Sequence, residues 1–145
     1  MKTMKRFMQR IEKIARQNGF NLYETDPDKI GAVLTVRSAG LMPLKIATVG
    51  VNQVAVYHSR VDDYGDTVYD PEVVFFTGYR ELGWVPMTIT QPTAWIMGRP
   101  IGGFKRVAML AQDYSAITRY YPRAMKDVAH FCNTLWYGNL SAYLD

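Results

Sequence analysis

Between Val54 and Phe76 two apolar runs, rich in β-branched and aromatic residues, flank a cluster of acids around Gly65. Such runs predict two antiparallel strands, residues 54–61 and 72–77, joined by an acidic loop over 62–69. Upstream the period is helical. Phe7, Ile11, Ile14 and Ala15 make one apolar stripe, extended by Met4 and Met8. This predicts a helix over residues 3–17 with Thr3 as its N-cap. Asn18-Gly19 supplies the stop, because glycine tolerates the left-handed conformation common there. Phe20 and Leu22 read as the start of a short strand, and residues 25–28 as a turn.

From Ile30 the period becomes strand-like. Strands are expected over 32–37 and 44–49, separated by a loop at 38–43, with a tight connection at 50–53. Residues 78–83 form a turn. Residues 84–90 are a further strand, which Pro86 restricts to an edge or a bulge, and 94–97 continue it. Residues 98–103 read as a loop. Residues 104–111 fit helix and strand patterns alike, and strand is preferred because hairpins precede them and Gly102-Gly103 suits another turn. Pro122 opens a C-terminal helix carrying Met125, Val128, Ala129, Phe131, Cys132, Leu135 and Trp136, closed by Gly138-Asn139. Leu140, Tyr143 and Leu144 tuck back onto the body. The pattern describes one α+β domain over 1–145: an N-terminal helix, an antiparallel meander of five to seven strands and a C-terminal helix, in two layers.

Composition narrows the class. The chain has 145 residues, 48% hydrophobic and 21% charged, which permits a sizeable core and argues against disorder. No apolar run approaches the roughly 20 residues that span a bilayer. The basic N-terminus lacks the apolar segment of a secretory signal. A single cysteine, Cys132, excludes an intrachain disulfide and a thiolate zinc cage. A cytoplasmic protein with no membrane partner is expected. The net charge of +4 is uneven: residues 1–20 hold six basic side chains against Glu12 alone, which makes that segment +5 and leaves about −1 for the rest.

Candidate chemistry is sparse. Asp62, Asp63, Asp66, Asp70 and Glu72 form an oxygen-rich loop, but their order does not match an EF-hand, and a solvated hairpin loop whose Asp residues make local turns is the favoured reading. With His58, the carboxylates Asp63, Asp66 and Asp70 would be the set for a metal-assisted hydrolase. His58 and Ser59 are strand neighbours and point to opposite faces, against a direct nucleophile–base pair. No Gly-x-Ser-x-Gly elbow is present. His130 and Cys132 lie two apart on a helix and do not face each other, so Cys132 reads as a core side chain. The stretch 98–103 followed by Lys105-Arg106 lacks the signature of a phosphate loop. No motif calls for a cofactor. Lys5, Arg6, Arg10 and Lys13 on the first helix, with Lys105 and Arg106, could contact phosphates, although no recognised nucleic-acid motif accompanies them. Tyr79, Trp84 and Trp95 are candidate protein-binding anchors, since Trp and Tyr dominate interface energetics.

One set of motifs is more specific. The stretch from Gly65 to Glu72 reads Gly-Asp-Thr-Val-Tyr-Asp-Pro-Glu, Gly83-Trp-Val-Pro86 follows, and the chain closes with Trp136-Tyr-Gly-Asn-Leu140. This resembles an uncharacterised bacterial family common on plasmids, conjugative elements and prophages, over about residues 50–140. The connection at 91–94 is less polar than the family pattern. The resemblance implies a mobile-element accessory protein with a compact α+β domain and carries no activity. The leading expectation is therefore a non-catalytic protein that binds another protein, of the host defence or conjugation machinery. Nucleic-acid binding through the first helix and a metal-assisted hydrolase are the alternatives, and a homodimer is compatible with all three.

Overall fold

The computed structural model describes the backbone of residues 1–145 and every side chain except those of Ala94 and Trp95. The apolar stripe of the N-terminal segment forms α1 (Lys5–Gln17), burying Phe7, Met8, Ile11, Ile14 and Ala15. Thr3 does not cap it. Met4 stands at the N-cap without a side-chain bond, and its N–H donates to the Trp84 carbonyl at 2.8 Å. The start of α1 is thus stitched to the sheet. Gly83 permits that close approach: a Cβ there would lie 2.7 Å from the Lys5 nitrogen.

Six strands follow in chain order and pair only with their sequence neighbours, all antiparallel: β1 (Val33–Val36), β2 (Leu44–Gly50), β3 (Gln53–Val61), β4 (Thr67–Phe76), β5 (Val85–Ile96) and β6 (Arg99–Arg106). A separate ribbon pairs β7 (Ala108–Leu110) with β8 (Ile117–Tyr120). The chain then enters α2 (Pro122–Phe131), with proline in its first turn. Helical structure continues through a π-turn at Cys132–Trp136 and ends in a 3-10 turn at Leu140–Tyr143.

The register sorts the side chains. One row across the six strands is Leu34, Ile46, Val56, Val73, Ile89 and Lys105. Its members from Ile46 to Ile89 are buried under the helices. The adjacent row, Thr35, Lys45, Tyr57, Glu72, Thr90 and Phe104, faces the other way. This alternation defines an α+β fold with the helices on one face of the sheet. A run of rings joins the layers: Phe7 packs on Phe75 (centroids 5.3 Å) and on Trp136 (5.2 Å), and Phe75 packs on Trp84 (5.4 Å). Cys132 is buried among them, and burial pushes its thiol well above the usual range. It is an inert core side chain.

Several expectations need correction. Phe20 and Leu22 form no strand; the Phe20 N–H closes the end of α1 on the Ala15 carbonyl and Leu22 is buried beside it. The acidic loop ends at Asp66, because Thr67, Val68 and Tyr69 pair with Val61, Arg60 and Ser59. Pro86 sits at a register shift inside an interior strand, so of the two options the bulge holds and the edge does not. Residues 99–103 are strand rather than loop. Gly102 and Gly103 adopt positive φ within β6, opposite the irregularity at Gln91–Ala94, and the turn shrinks to Met97-Gly98. The strand expected over 104–111 divides at Val107, whose N–H bonds Met87 while its carbonyl receives Tyr121. Strand β8 carried too little alternation to be foreseen. The α-helical turns end at Asn139 as expected, and the following residues add a 3-10 turn that buries Leu140 and Tyr143.

Replacing Phe75 by Ala should destabilise the protein by about 3–5 kcal/mol, read as a lower urea midpoint, because it opens a cavity where both helical segments meet the sheet. Phe104→Ala, at a side chain 63% exposed on the edge strand, should change stability by less than about 0.5 kcal/mol.

Candidate functional site

The β3–β4 ladder breaks once. Tyr57 opposes Glu72 and Ser59 opposes Tyr69, so His58 on one strand faces Asp70 and Pro71 on the other without regular pairing. Strand alternation puts His58 on the same inward face as Val54 and Val56, beneath the C-terminal helical segment, and the extra residue of the irregularity belongs to β4. The Trp136 indole N–H donates to His58 Nε2 at 3.2 Å, and His58 Nδ1 lies 3.1 Å from the Pro43 carbonyl. An indole nitrogen can only donate, so Nε2 is the acceptor and Nδ1 carries the proton given to Pro43. Both ring nitrogens of the neutral imidazole are committed. Burial draws the His58 pKa below the ordinary value, opposed by the Pro43 and Met42 carbonyls and the charge of Asp70.

A cleft of about 560 Å³ opens over this spot. His58, Asp70, Phe131, Trp136 and Tyr143 contribute to its wall, and Leu41 to its rim. The structure thus brings His58 and Asp70 to one place. It does not bring Asp63 and Asp66 there. Asp62 Oδ1 accepts the N–H groups of Tyr64 and Asp66 at 2.9 Å each, which holds Asp63 and Asp66 at the exposed tip of the hairpin. Asp70 lies four residues beyond Asp66, roughly 13 Å at strand rise. The set His58, Asp63, Asp66 and Asp70 is therefore not assembled, and no group of three metal-ligating side chains occurs among the described residues.

The aromatic anchors are placed differently from expectation. Trp84 is fully buried, its N–H donating to the Tyr23 hydroxyl at 3.2 Å. Tyr79 packs edge-on against Phe76 at 4.8 Å, and its hydroxyl accepts the Ile117 N–H at 3.0 Å. Both serve the core, because the turn at 78–83 folds back beneath β8 and the start of β5 lies under α1. The Trp95 side chain lies outside the described residues. Tyr23 in turn donates to Glu12 at 2.7 Å and lies 4.1 Å beneath the Arg80 guanidinium. Burial, with Glu12 as neighbour, pushes its phenol well above the ordinary value.

The cations of α1 all stand on its solvent side. Lys5, Arg6 and Lys13 are exposed and Arg10 is half-buried. The guanidiniums of Arg6 and Arg10 lie 3.9 and 4.2 Å from the centroid of the Tyr137 ring, and Arg10 Nη2 donates to the Tyr137 hydroxyl at 2.9 Å. Hydrogen bonding to Arg6, joined by the charges of Arg10 and Arg6, draws the Tyr137 phenol below its ordinary value. Lys105 and Arg106 part company. Lys105 ends the inner row and lies with Asp127 of α2 around a small cavity, whereas Arg106 is on the outer row, 5.9 Å from the Phe104 ring. Asp127 also lines a cleft of about 540 Å³ with Lys2, Lys126 and His130. The cations of α1 are thus followed over α2 by Lys2, Lys126 and Lys105, which share two cavities with Asp127, and Arg106 is left on the opposite face. Sequence reasoning did not find Tyr137, Trp136 or Tyr143 as partners of these groups; only the apolar spacing of Trp136 and the expected tucking back of Tyr143 marked the segment.

Comparison of the chain with protein-family models, with curated proteins and with solved structures finds no match.

The His58 geometry has a measurable consequence. An unfolded histidine takes up its proton near pH 6.5, while folded His58 resists protonation to a lower pH. Between those values the unfolded chain binds more protons, so the contribution of His58 to stability is present above pH 6.5 and is lost as pH falls through that window. Urea midpoints should fall between about pH 7.5 and 5.5. In His58→Gln the drop should be smaller, and an equal drop would assign the pH dependence elsewhere.

Proposed function

We propose that the protein binds nucleic acid through the cationic surface of α1 and α2. One observation supports this most: the solvent arc of α1 presents Lys5, Arg6, Arg10, Lys13 and Arg16, while its single acid, Glu12, is engaged by Tyr23 at the margin. Two of the arginines are already held against Tyr137, which lowers the side-chain entropy lost when a phosphate is gripped. Lys2, Lys126 and Lys105 extend the same face. Phosphate contacts of this type position a backbone without reading bases, so weak sequence preference is expected. A role as an accessory protein of a mobile element fits this reading, and the motif resemblance alone suggests it.

The test is binding of a labelled oligonucleotide of about 20 nucleotides, single- and double-stranded, followed by anisotropy from about 50 to 300 mM salt. Affinity should fall steeply with salt, and Arg6→Glu with Arg10→Glu and Lys13→Glu should lower the log–log slope by about 3, near 0.9 for each phosphate that is no longer neutralised. Absence of binding at the lowest salt, or an unchanged slope in the triple variant, overturns the reading.

A protein partner is the second reading, favoured by one observation. The distal part of the β5–β6 hairpin exposes Ile96, Met97 and Ile101, with Met97 97% exposed at the turn. It rests on these residues rather than on Trp84 and Tyr79. A partner retained by the native chain and released on Met97→Asp with Ile101→Asp supports it, and equal retention counts against it.

A further inference from the structure

We propose that the cleft between the loop before β2, the β3–β4 irregularity and the C-terminal helical segment binds a small organic cation, an amine or a guanidinium, with Asp70 as its counter-ion. The argument is independent of nucleic-acid binding. The volume of about 560 Å³ suits a ligand of modest size. Among the described residues, Asp70 is the only acidic side chain in the wall, and no lysine or arginine lines the cleft. His58 supplies no compensating charge, because its two nitrogens are already taken by Trp136 and Pro43 in the neutral form. In a chain of net charge +4, this is a concave site whose local sign is negative.

Four rings, His58, Phe131, Trp136 and Tyr143, contribute to the rest of the wall among small and aliphatic residues. Trp136 lies 5.8 Å from Phe131 and 5.9 Å from His58, and His58 lies 5.9 Å from Tyr143. Rings of this kind attract a cation and also bury its hydrocarbon part. An anion would be repelled by Asp70. A divalent metal would need several oxygen ligands, and one carboxylate does not provide them. The hydrogen bonds of Trp136 to His58 and of Tyr143 to the Met42 carbonyl hold these rings in place before any ligand arrives. The site is therefore built in advance, which reduces the ordering cost of binding.

The probe is phenethylammonium, compared with its neutral counterpart 2-phenylethanol. Each is titrated into the ¹⁵N-labelled full chain, and the Trp136 indole N–H resonance is followed. The cation should shift that resonance saturably, with a dissociation constant on the order of 1 mM. The alcohol should bind at least about tenfold more weakly. Asp70→Asn, at an exposed side chain, should cost the cation about tenfold and leave the alcohol unchanged. Ser141→Trp, at an exposed position on the cleft wall, should block both. No saturable shift, equal binding of the two probes, or undiminished cation affinity in Asp70→Asn would each overturn the proposal. None of these outcomes bears on the salt-dependent binding of oligonucleotides.

Discussion

The fold hangs on the packing of Phe7 against Phe75 and Trp136. Without it α1 and the C-terminal segment would have no common floor. The three rings come from a helix, an interior strand and the last turns of the chain, so their packing joins segments far apart in sequence. Each buried ring contributes on the order of 2–3 kcal/mol by removal from water. The alternation of the sheet presents the apolar row from Ile46 to Ile89 to this floor. Trp84 extends the ring run to the start of β5, where the Met4–Trp84 backbone bond locks the helix start in register.

The same packing makes the cleft. Trp136 must lie against Phe7 and Phe131 for the core to close, and this orients its N–H toward β3. A buried indole donor needs an acceptor, and the period of two along β3 places His58 on the inward face to supply one. The break in the β3–β4 pairing turns Asp70 out of the ladder and into the wall of the cleft. Regular alternation thus supplies the satisfied buried histidine, and the one departure from regular pairing supplies the lone carboxylate beside it.

Charge is divided between the faces by the same geometry. The apolar arc of α1 is consumed by the core, which leaves its cations no direction but solvent. The period of two in β6 sends Lys105 toward α2 and Arg106 to the uncovered sheet face. On that open face Glu72 is half-buried in the row with Tyr57 and Thr90, and burial raises its carboxyl above the ordinary range. The exposed arc of α1 is therefore cationic, while the C-terminal segment carries Asp127 and borders Asp70, a separation that net charge alone does not express.

What the sequence determined by itself was local. The helical period of Phe7, Ile11 and Ile14, the alternation in residues 54–61 and the proline at the head of α2 are short-range signals, and the elements they predict are present. Extents were less legible: Thr67–Tyr69 are strand formers by type that the acidic neighbours disguised as loop, whereas Arg99–Gly103, with a proline and two glycines, join a strand because β5 offers hydrogen bonds. Only the tertiary structure decided which polar groups meet. His58 and Asp70 are twelve residues apart in sequence and converge through a ladder irregularity, while Asp63 and Asp66, their companions by composition, remain on a loop tip. Trp84 reads as a surface anchor and is the floor under α1; Tyr137 drew no role from its sequence context and carries two arginines. Side-chain partnership across long separations depends on how faces pack, and a period of about 2 or 3.6 names the face but not what lies against it.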